Sequence, residues 1–337
     1  MNILNSKSLI NYNTFKVPAN AQFFINVKSE NEIIELLKEK KFKKYNKFIL
    51  GGGSNILLTK DITGLVIHNQ IKGINIIKET KNEIVIEIGA GEIWDQVVQW
   101  SVEKNLYGIE NLSLIPGYAG AAPIQNIGAY GAELRDVFLE LEAINIDTTE
   151  NIKFNKADCQ FGYRNSIFKK DLKGKFIITK LKLVLSKKQK VNISYNGLYE
   201  EFKNTNRKDL SCKKIREKVI EIRKNKLPDP EKIGNAGSFF KNPIISQTTL
   251  SKLQTSHPKI PFFAKNKEIK IPAAWLIEKC KWKGYIEKTC GVYNKHSLII
   301  INRGNASGQE ILKLANKIKK DIYKNFNIQL EEEVNIS

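Results

Sequence analysis

The sequence predicts an α+β protein with two N-terminal lobes and one C-terminal domain. Three observations carry this reading. Short β-rich runs alternate with amphipathic helices from about residue 30 onward. An uncharged stretch rich in small residues interrupts them at 111–132. The pair in Leu227-Pro228-Asp229-Pro230 then breaks the chain, and about 110 residues with their own strands and helices follow. At 337 residues, 42% hydrophobic and 27% charged, the chain can bury packed cores and is divisible into two or three domains.

The elements follow in order. Ser29-Glu30-Asn31-Glu32 is a capping box ahead of Ile33, Ile34, Leu36 and Leu37, which predicts a helix from about residue 30. Lys47-Phe48-Ile49-Leu50 reads as a buried strand leading into Gly51-Gly52-Gly53-Ser54-Asn55. Strand patterns recur at 56–58, 65–68, 74–77 and 84–88, and Ile93, Val97 and Trp100 mark one face of a helix over 93–103. Strands are expected at 139–146 and 176–185, and a charged helix at 209–224. Proline disfavours helical backbone in the residue before it, so the 227–230 segment is the best domain boundary. A last helix begins at the capping box Ser307-Gly308-Gln309-Glu310, with Ile311, Ala315, Ile318 and Ile322 on one stripe.

The formal net charge of +20 invites a nucleic-acid-binding reading. Only six of the 55 basic residues are arginine, the residue suited to bidentate phosphate and base contacts; the other 49 are lysine. With 47 Ile and 34 Asn beside them, the excess tracks A/T-rich codons rather than a basic surface. The four cysteines (Cys159, Cys212, Cys280, Cys290) form no C-x-x-C, so neither a disulfide framework nor a metal site is indicated. The first residues lack an apolar export segment, and a cytoplasmic protein is expected. Residues 111–132 are long enough to span a bilayer, but Pro116, Pro123, Gln125, Asn126 and four glycines exclude a lipid-exposed helix.

Among the motifs, residues 51–55 follow a strand, and consecutive glycines let backbone N–H groups converge on an anion; a glycine-rich hairpin turn is the alternative. The 114–131 segment has small residues for close approach to a large flat ligand, with Gln125 and Asn126 able to hydrogen-bond its edge. Arg164, in Phe161-Gly-Tyr-Arg164, is an arginine in a lysine-saturated chain, which suggests a fork on a carboxylate. Ser238 lies among small residues with no histidine assignable as its base, so an acyl-transfer triad is not indicated. By residue chemistry alone Glu331-Glu332-Glu333 reads as a solvated acidic end.

Taken together these segments resemble the UDP-N-acetylenolpyruvoylglucosamine reductase (MurB) family, of the vanillyl-alcohol-oxidase (PCMH) type of FAD-binding proteins. The similarity runs from Asn13-Thr14-Phe15 to Glu333-Val334 and includes Ile115-Pro-Gly, Pro123-Ile-Gln-Asn-Ile-Gly-Ala-Tyr-Gly131, Lys226-Leu-Pro-Asp-Pro230 and Gly237-Ser-Phe-Phe-Lys-Asn-Pro243. The resemblance implies an FAD-binding lobe at 1–70, a second at 71–226 with a substrate-covering loop near 195, and a substrate-binding domain at 227–337. It implies FAD contacts from Gly51, Gly52, Gly53, Ser54, Asn55, Pro116, Gly117, Gln125, Asn126, Gly128, Tyr130 and Arg223. Tyr195 matches the tyrosine of the subclass whose loop closes over the substrate, and Lys226 and Asn242 match residues near the substrate diphosphate, with Lys241 beside them.

The implied reaction makes UDP-N-acetylmuramate for peptidoglycan. NADPH and the enolpyruvyl UDP-sugar use one cleft in turn, hydride passes through flavin N5, and the enolate is protonated. Arg164 would hold the substrate carboxylate, Ser238 would deliver the proton, and Glu333 matches the catalytic glutamate. Glu332 stands where the family usually has proline, Asn335 where it has arginine, and Ala274 where glycine is common. The resemblance implies no metal, no membrane insertion and a monomer. Another FAD-dependent oxidoreductase of the same fold is the alternative; a nucleic-acid-binding protein would leave 111–132 unexplained.

Overall fold

The computed structural model describes residues 2–265 and 268–337. They form two compact units. One contains the residues up to Lys7, Ala21–Gly52 and Ile62–Asn225; the other contains Ser8–Asn20, Gly53–Asp61 and Lys226–Ser337. The chain crosses to its long C-terminal stretch at the expected proline-rich boundary. Two short segments from within the expected first lobe belong with that stretch.

In the first unit, one sheet has the order Leu4–Ser8, Asn20–Val27, Ile62–Asn69, Lys47–Leu50. Asn20–Val27 and Lys47–Leu50 both run parallel to Ile62–Asn69. Parallel strands need a crossover, and the helix Glu30–Lys38 supplies it. Ser29 accepts a hydrogen bond from the Glu32 N–H at 3.2 Å, while the Glu32 carboxylate reaches past the expected box to Lys28 N–H at 2.6 Å. The helix buries Ile33, Leu36 and Leu37 against Ile25, Val27, Leu65 and Ile67, together with Ile144 and Ile177. Those last two come from the second sheet, so the two expected lobes share a core.

That second sheet is antiparallel, ordered Asn151–Asn155, Phe138–Asn145, Phe176–Ser186, Glu83–Gly89, Ile74–Glu79. Lys182 is nearly buried on it and pairs with Glu140 at 2.8 Å and Glu142 at 3.0 Å. The strands Asn20–Val27 and Asn151–Asn155 are additions to those read from the sequence. The helix Trp94–Glu103 covers one sheet face with Trp94, Val97, Val98 and Val102. The later helix spans Cys212–Lys226; residues 207–209 form a 3-10 turn capped by Asn206 instead, and Ser211 Oγ accepts from Lys214 N–H at 3.2 Å.

In the second unit, a four-stranded sheet runs Gly234–Ser238, Ile299–Asn302, Cys290–Val292, Ile286–Glu287. The helix Gly308–Phe326 has the expected box at Ser307 and Glu310, and Ile311, Ala315, Ile318 and Ile322 are buried. A short parallel pair joins Asn335–Ile336 to Ile56–Leu57. No helix of the described residues is long and apolar enough to cross a membrane.

Trp94 is 1% exposed and its indole N–H donates to Leu112 O at 3.0 Å, so it both fills the core and holds the start of the uncharged stretch. Trp94→Ala should destabilise the protein by about 3–5 kcal/mol, read as a lower urea midpoint.

Candidate functional site

Residues 111–132 lie in the first unit with little regular structure. They contain 3-10 turns at Glu110–Leu112 and Ala119–Ala121 and the start of a hairpin, Gly128–Ala129 with Ala132–Glu133. Without a ladder, the buried backbone needs partners one group at a time. Trp94 N–H donates to Gly117 O at 2.9 Å, and the Asp95 carboxylate accepts from Leu114 N–H at 2.5 Å. Ala119 and Gly120 N–H donate to Glu92 and Ala90 carbonyls, and Ser166 Oγ donates to Ile124 O at 2.6 Å. Leu114, Asn126 and Tyr130 have φ of 58°, 45° and 49°, in the left-handed region usually left to glycine. Such conformations persist only where surroundings over-determine them, and they cluster at functional sites.

Gly51 and Gly52 lie in the same unit, against this stretch. A Cβ on Gly52 would sit 3.0 Å from Gly117 Cα and 3.2 Å from the Tyr118 ring. The Tyr118 ring stacks on His68 with centroids 5.8 Å apart. Burial, with the nearby Lys72 charge, pushes the His68 imidazole down to about 4, and its Nδ1 is 2.8 Å from Asn26 Oδ1. Pro116 is exposed and Gln125 partly exposed. Asn126 is fully buried: its amide donates to Glu133 at 3.2 Å and Gly162 O at 3.1 Å and accepts from Arg135 N–H at 3.0 Å. The ligand-edge hydrogen bonds expected of its amide are thus taken up by the protein, and its side chain holds the turn.

Arg164, itself at φ 50°, donates from Nη2 to Gly128 O at 2.6 Å. A Cβ on Gly128 would meet Arg164 Nη1 at 2.9 Å, so the glycine makes room for the guanidinium. Tyr195 is 46% exposed and packs edge-on against Tyr130, with ring centroids 5.4 Å apart. Asn111 donates to both Tyr130 O and Asn192 O at 2.8 Å, and Asn192 donates to Gly131 O at 2.9 Å, tying the Tyr195 loop to the 130–131 turn. Burial pushes Tyr130 up and Arg223 down, with the Arg223 charge beside Tyr130 opposing both shifts, and the Arg223 Nε is buried with no hydrogen-bond partner.

The second unit gathers the other predicted residues. Gly53 has φ 60°, and a Cβ there would stand 1.9 Å from Tyr12 O. Asn55 donates to Glu333 O at 3.3 Å, while its own carbonyl accepts from Asn335 N–H and Nδ2, both at 3.0 Å. Glu333 N–H donates to Phe239 O at 2.8 Å, and Lys241 N–H to Glu331 O at 2.9 Å, so 331–333 pair beside the residues following Ser238. Ser238 ends the strand Gly234–Ser238 and is partly exposed. Lys241 pairs with Glu331 and Glu332 with Lys319, at 3.0 and 2.7 Å. Asn242 Oδ1 accepts from Ala273 N–H at 2.9 Å, capping a helix; Lys226 is exposed at the end of another, and Ser54 is partly exposed.

The chain matches two family models: an FAD binding domain over residues 21–152, and the C-terminal domain of UDP-N-acetylenolpyruvoylglucosamine reductase over residues 229–337. It is 46% identical to the UDP-N-acetylenolpyruvoylglucosamine reductase of Flavobacterium johnsoniae, over 100% of both chains. The chain belongs to the UDP-N-acetylenolpyruvoylglucosamine reductase family. A second reductase of that name, from Amoebophilus asiaticus, is also 46% identical over 100% of this chain and 99% of its own. The solved MurB structure from Thermus caldophilus shares the fold, with a TM-score of 0.69 at 21% identity over 99% of this chain and 98% of that one.

For a member of this reductase family, the departures at the end of the chain have local explanations. Glu332, at the usual proline position, gains Lys319, and Asn335, at the usual arginine position, holds the Asn55 carbonyl. Asp95, Asn111 and Arg216 are absent from the site residues read from the sequence, although they bond within the 111–132 segment or its supports. The same scarcity argument that marks Arg164 marks Arg216.

His68 gives a test of this packing. Its folded-state pKa lies below the ordinary 6.5, so on acidification the unfolded chain binds the proton first. Stability is therefore present above 6.5 and is lost as pH falls towards about 4. The loss should approach about 3 kcal/mol in denaturant titrations, and His68→Gln should flatten that slope.

Proposed function

We propose that the chain is an FAD-dependent reductase that converts UDP-N-acetyl-3-O-(1-carboxyvinyl)glucosamine to UDP-N-acetylmuramate, using NADPH. The observation that carries the reading is full-length 46% identity to reductases named for the enolpyruvyl substrate, with an FAD binding domain over 21–152. Features of the first unit suit the cofactor: the close glycines at 51 and 52 and the uncharged 111–132 segment. When bound, the flavin supplies hydride transfer between the nicotinamide and the enolpyruvyl ether.

In this reading Gly51, Gly52, Gly53, Ser54 and Asn55 receive the pyrophosphate on backbone N–H groups, while Pro116, Gly117, Gln125, Gly128 and Tyr130 line the ring and ribityl chain. Asn126 acts by holding the turn, and Arg223 contributes its positive charge beside Tyr130 to the cofactor site. Arg164 clamps the substrate carboxylate; because Nη2 is already held by Gly128 O, the guanidinium has a fixed plane in which to do so. Hydride adds to the methylene carbon, and the π electrons move to the neighbouring carbon and into the carboxylate. Arg164 stabilises that charge, and the Ser238 hydroxyl protonates the carbon. Glu333 serves as the catalytic glutamate that the resemblance implies. Tyr195, Lys226 and Asn242 hold the UDP-sugar, NADPH takes the same site in turn, and the protein works as a cytoplasmic monomer.

Purified protein should carry a visible flavin band that NADPH bleaches and the enolpyruvyl UDP-sugar restores; a colourless protein unable to take up FAD overturns the reading. In stopped flow, Ser238→Ala should leave flavin reduction by NADPH fast and slow reoxidation by substrate by about 10²–10⁴-fold. Equal slowing of both half-reactions removes the proton-donor role from Ser238.

A further inference from the structure

A supporting pair behind the cofactor-facing segment remains outside the functions assigned so far. Asp95 follows Trp94 in the first turn of the helix Trp94–Glu103. Its carboxylate is forked by Arg216, Nη1 to Oδ1 at 2.6 Å and Nη2 to Oδ2 at 2.9 Å, and Oδ1 also accepts the Leu114 N–H. Two adjacent residues of one helical turn thus grip the segment at residues 112 and 114: Trp94 through the Leu112 carbonyl and Asp95 through the Leu114 amide. Leu114 is the first of the left-handed non-glycine residues in this segment.

The other half of the fork sits on the helix Cys212–Lys226. Positions 212, 216, 219, 223 and 226 recur at the spacing of a single helical stripe. Cys212 and Val219 are buried along it, and the Arg216 side chain is 11% exposed. The same stripe carries Arg223, whose charge lies beside Tyr130, and ends at Lys226. Burial pushes the Asp95 carboxyl up, but the Arg216 hydrogen bond, the Leu114 N–H and the charges of Arg216 and Arg223 outweigh it and keep Asp95 below the usual range. The pair is thus charged on both sides, and its bidentate geometry fixes orientation as well as distance.

We propose that the Asp95–Arg216 fork is the positioning element of the flavin site, holding Leu114 in its left-handed conformation and setting the rotation of the helix that presents Arg223 to Tyr130. The inference rests on the FAD reading above. Neither residue touches the ligand; both act through Leu114 and Arg223.

The test compares the parent and two variants as apo-protein titrated with FAD, followed by quenching of flavin fluorescence, with the thermal midpoint of each apo-protein measured alongside. Arg216→Lys keeps the charge but loses the fork. It should raise the FAD Kd about tenfold or more and shift the visible band of bound flavin, while the apo midpoint stays within a few degrees of the parent. Asp95→Asn, which can still accept from Leu114, carries the same expectation if Arg216→Lys does not fold. A Kd within about twofold of the parent and an unshifted band, even with a lowered midpoint, would make the fork a structural ion pair and overturn the proposal. A parent that binds no FAD would instead remove the functional reading, and the inference with it.

Discussion

A backbone with little regular structure must have its buried N–H and C=O groups satisfied largely one at a time, and much of 111–132 lives under that constraint. Regular structure would satisfy these groups internally but would fill the space with side chains and ladders. The chain instead surrounds the segment with donors and acceptors from elsewhere in the first unit: Trp94 and Asp95 from one helix, Ser166 and Arg164 from a later loop, Asn192 from another, and Asn111 and Asn126 from the segment itself. Most of these side chains reach main-chain atoms rather than one another. The result is a surface of small residues much of whose main chain is held by the protein around it.

This division of labour separates residues that hold the site from residues that face a ligand. Asn126 looks from composition like a ligand contact, yet its three hydrogen bonds are internal. Gly128 looks like a place for close cofactor approach, and its missing Cβ also leaves room for the Arg164 guanidinium. Three of the six arginines bond residues in or bordering the segment or its supports: Arg135 at Glu133, Arg164 at Gly128 and Arg216 at Asp95. A planar fork is needed where a bond must also fix an angle, and lysine cannot replace it there.

Much of the architecture was legible because it depends on local signals. The boxes at Ser29 and Ser307 cap the helices they announce, and the apolar stripe of Gly308–Phe326 is buried as its spacing requires. Asn20–Val27 was missed because its alternation is imperfect: Phe24 and Ile25 are adjacent and both buried. The helix before the boundary starts at 212 rather than 209 because Asn206 and Ser211 each cap a different turn. The grip on Leu114 was not legible at all, since it joins residues 95, 114 and 216, and no local pattern registers a contact across 121 positions. Glu333 could be told from Glu331 only by a motif; in the fold, it is the residue whose main chain bonds both Asn55 and Phe239.

The second unit is assembled from three separated pieces, Ser8–Asn20, Gly53–Asp61 and Lys226–Ser337. Its closing contacts are among the longest in sequence: Asn55 meets Glu333 across 278 positions, and Asn302 donates to Phe15 O across 287. Synthesis from the N-terminus therefore delivers the first two pieces long before their partners exist. While the ribosome is still adding the last hundred residues, the glycine-rich loop has only its upstream half, Gly51 and Gly52, in a unit whose chain is complete. Completion of the loop thus waits for residues 333–335, which hold Asn55. A nascent chain stalled before that point would have its longer unit fully made and its loop unfinished.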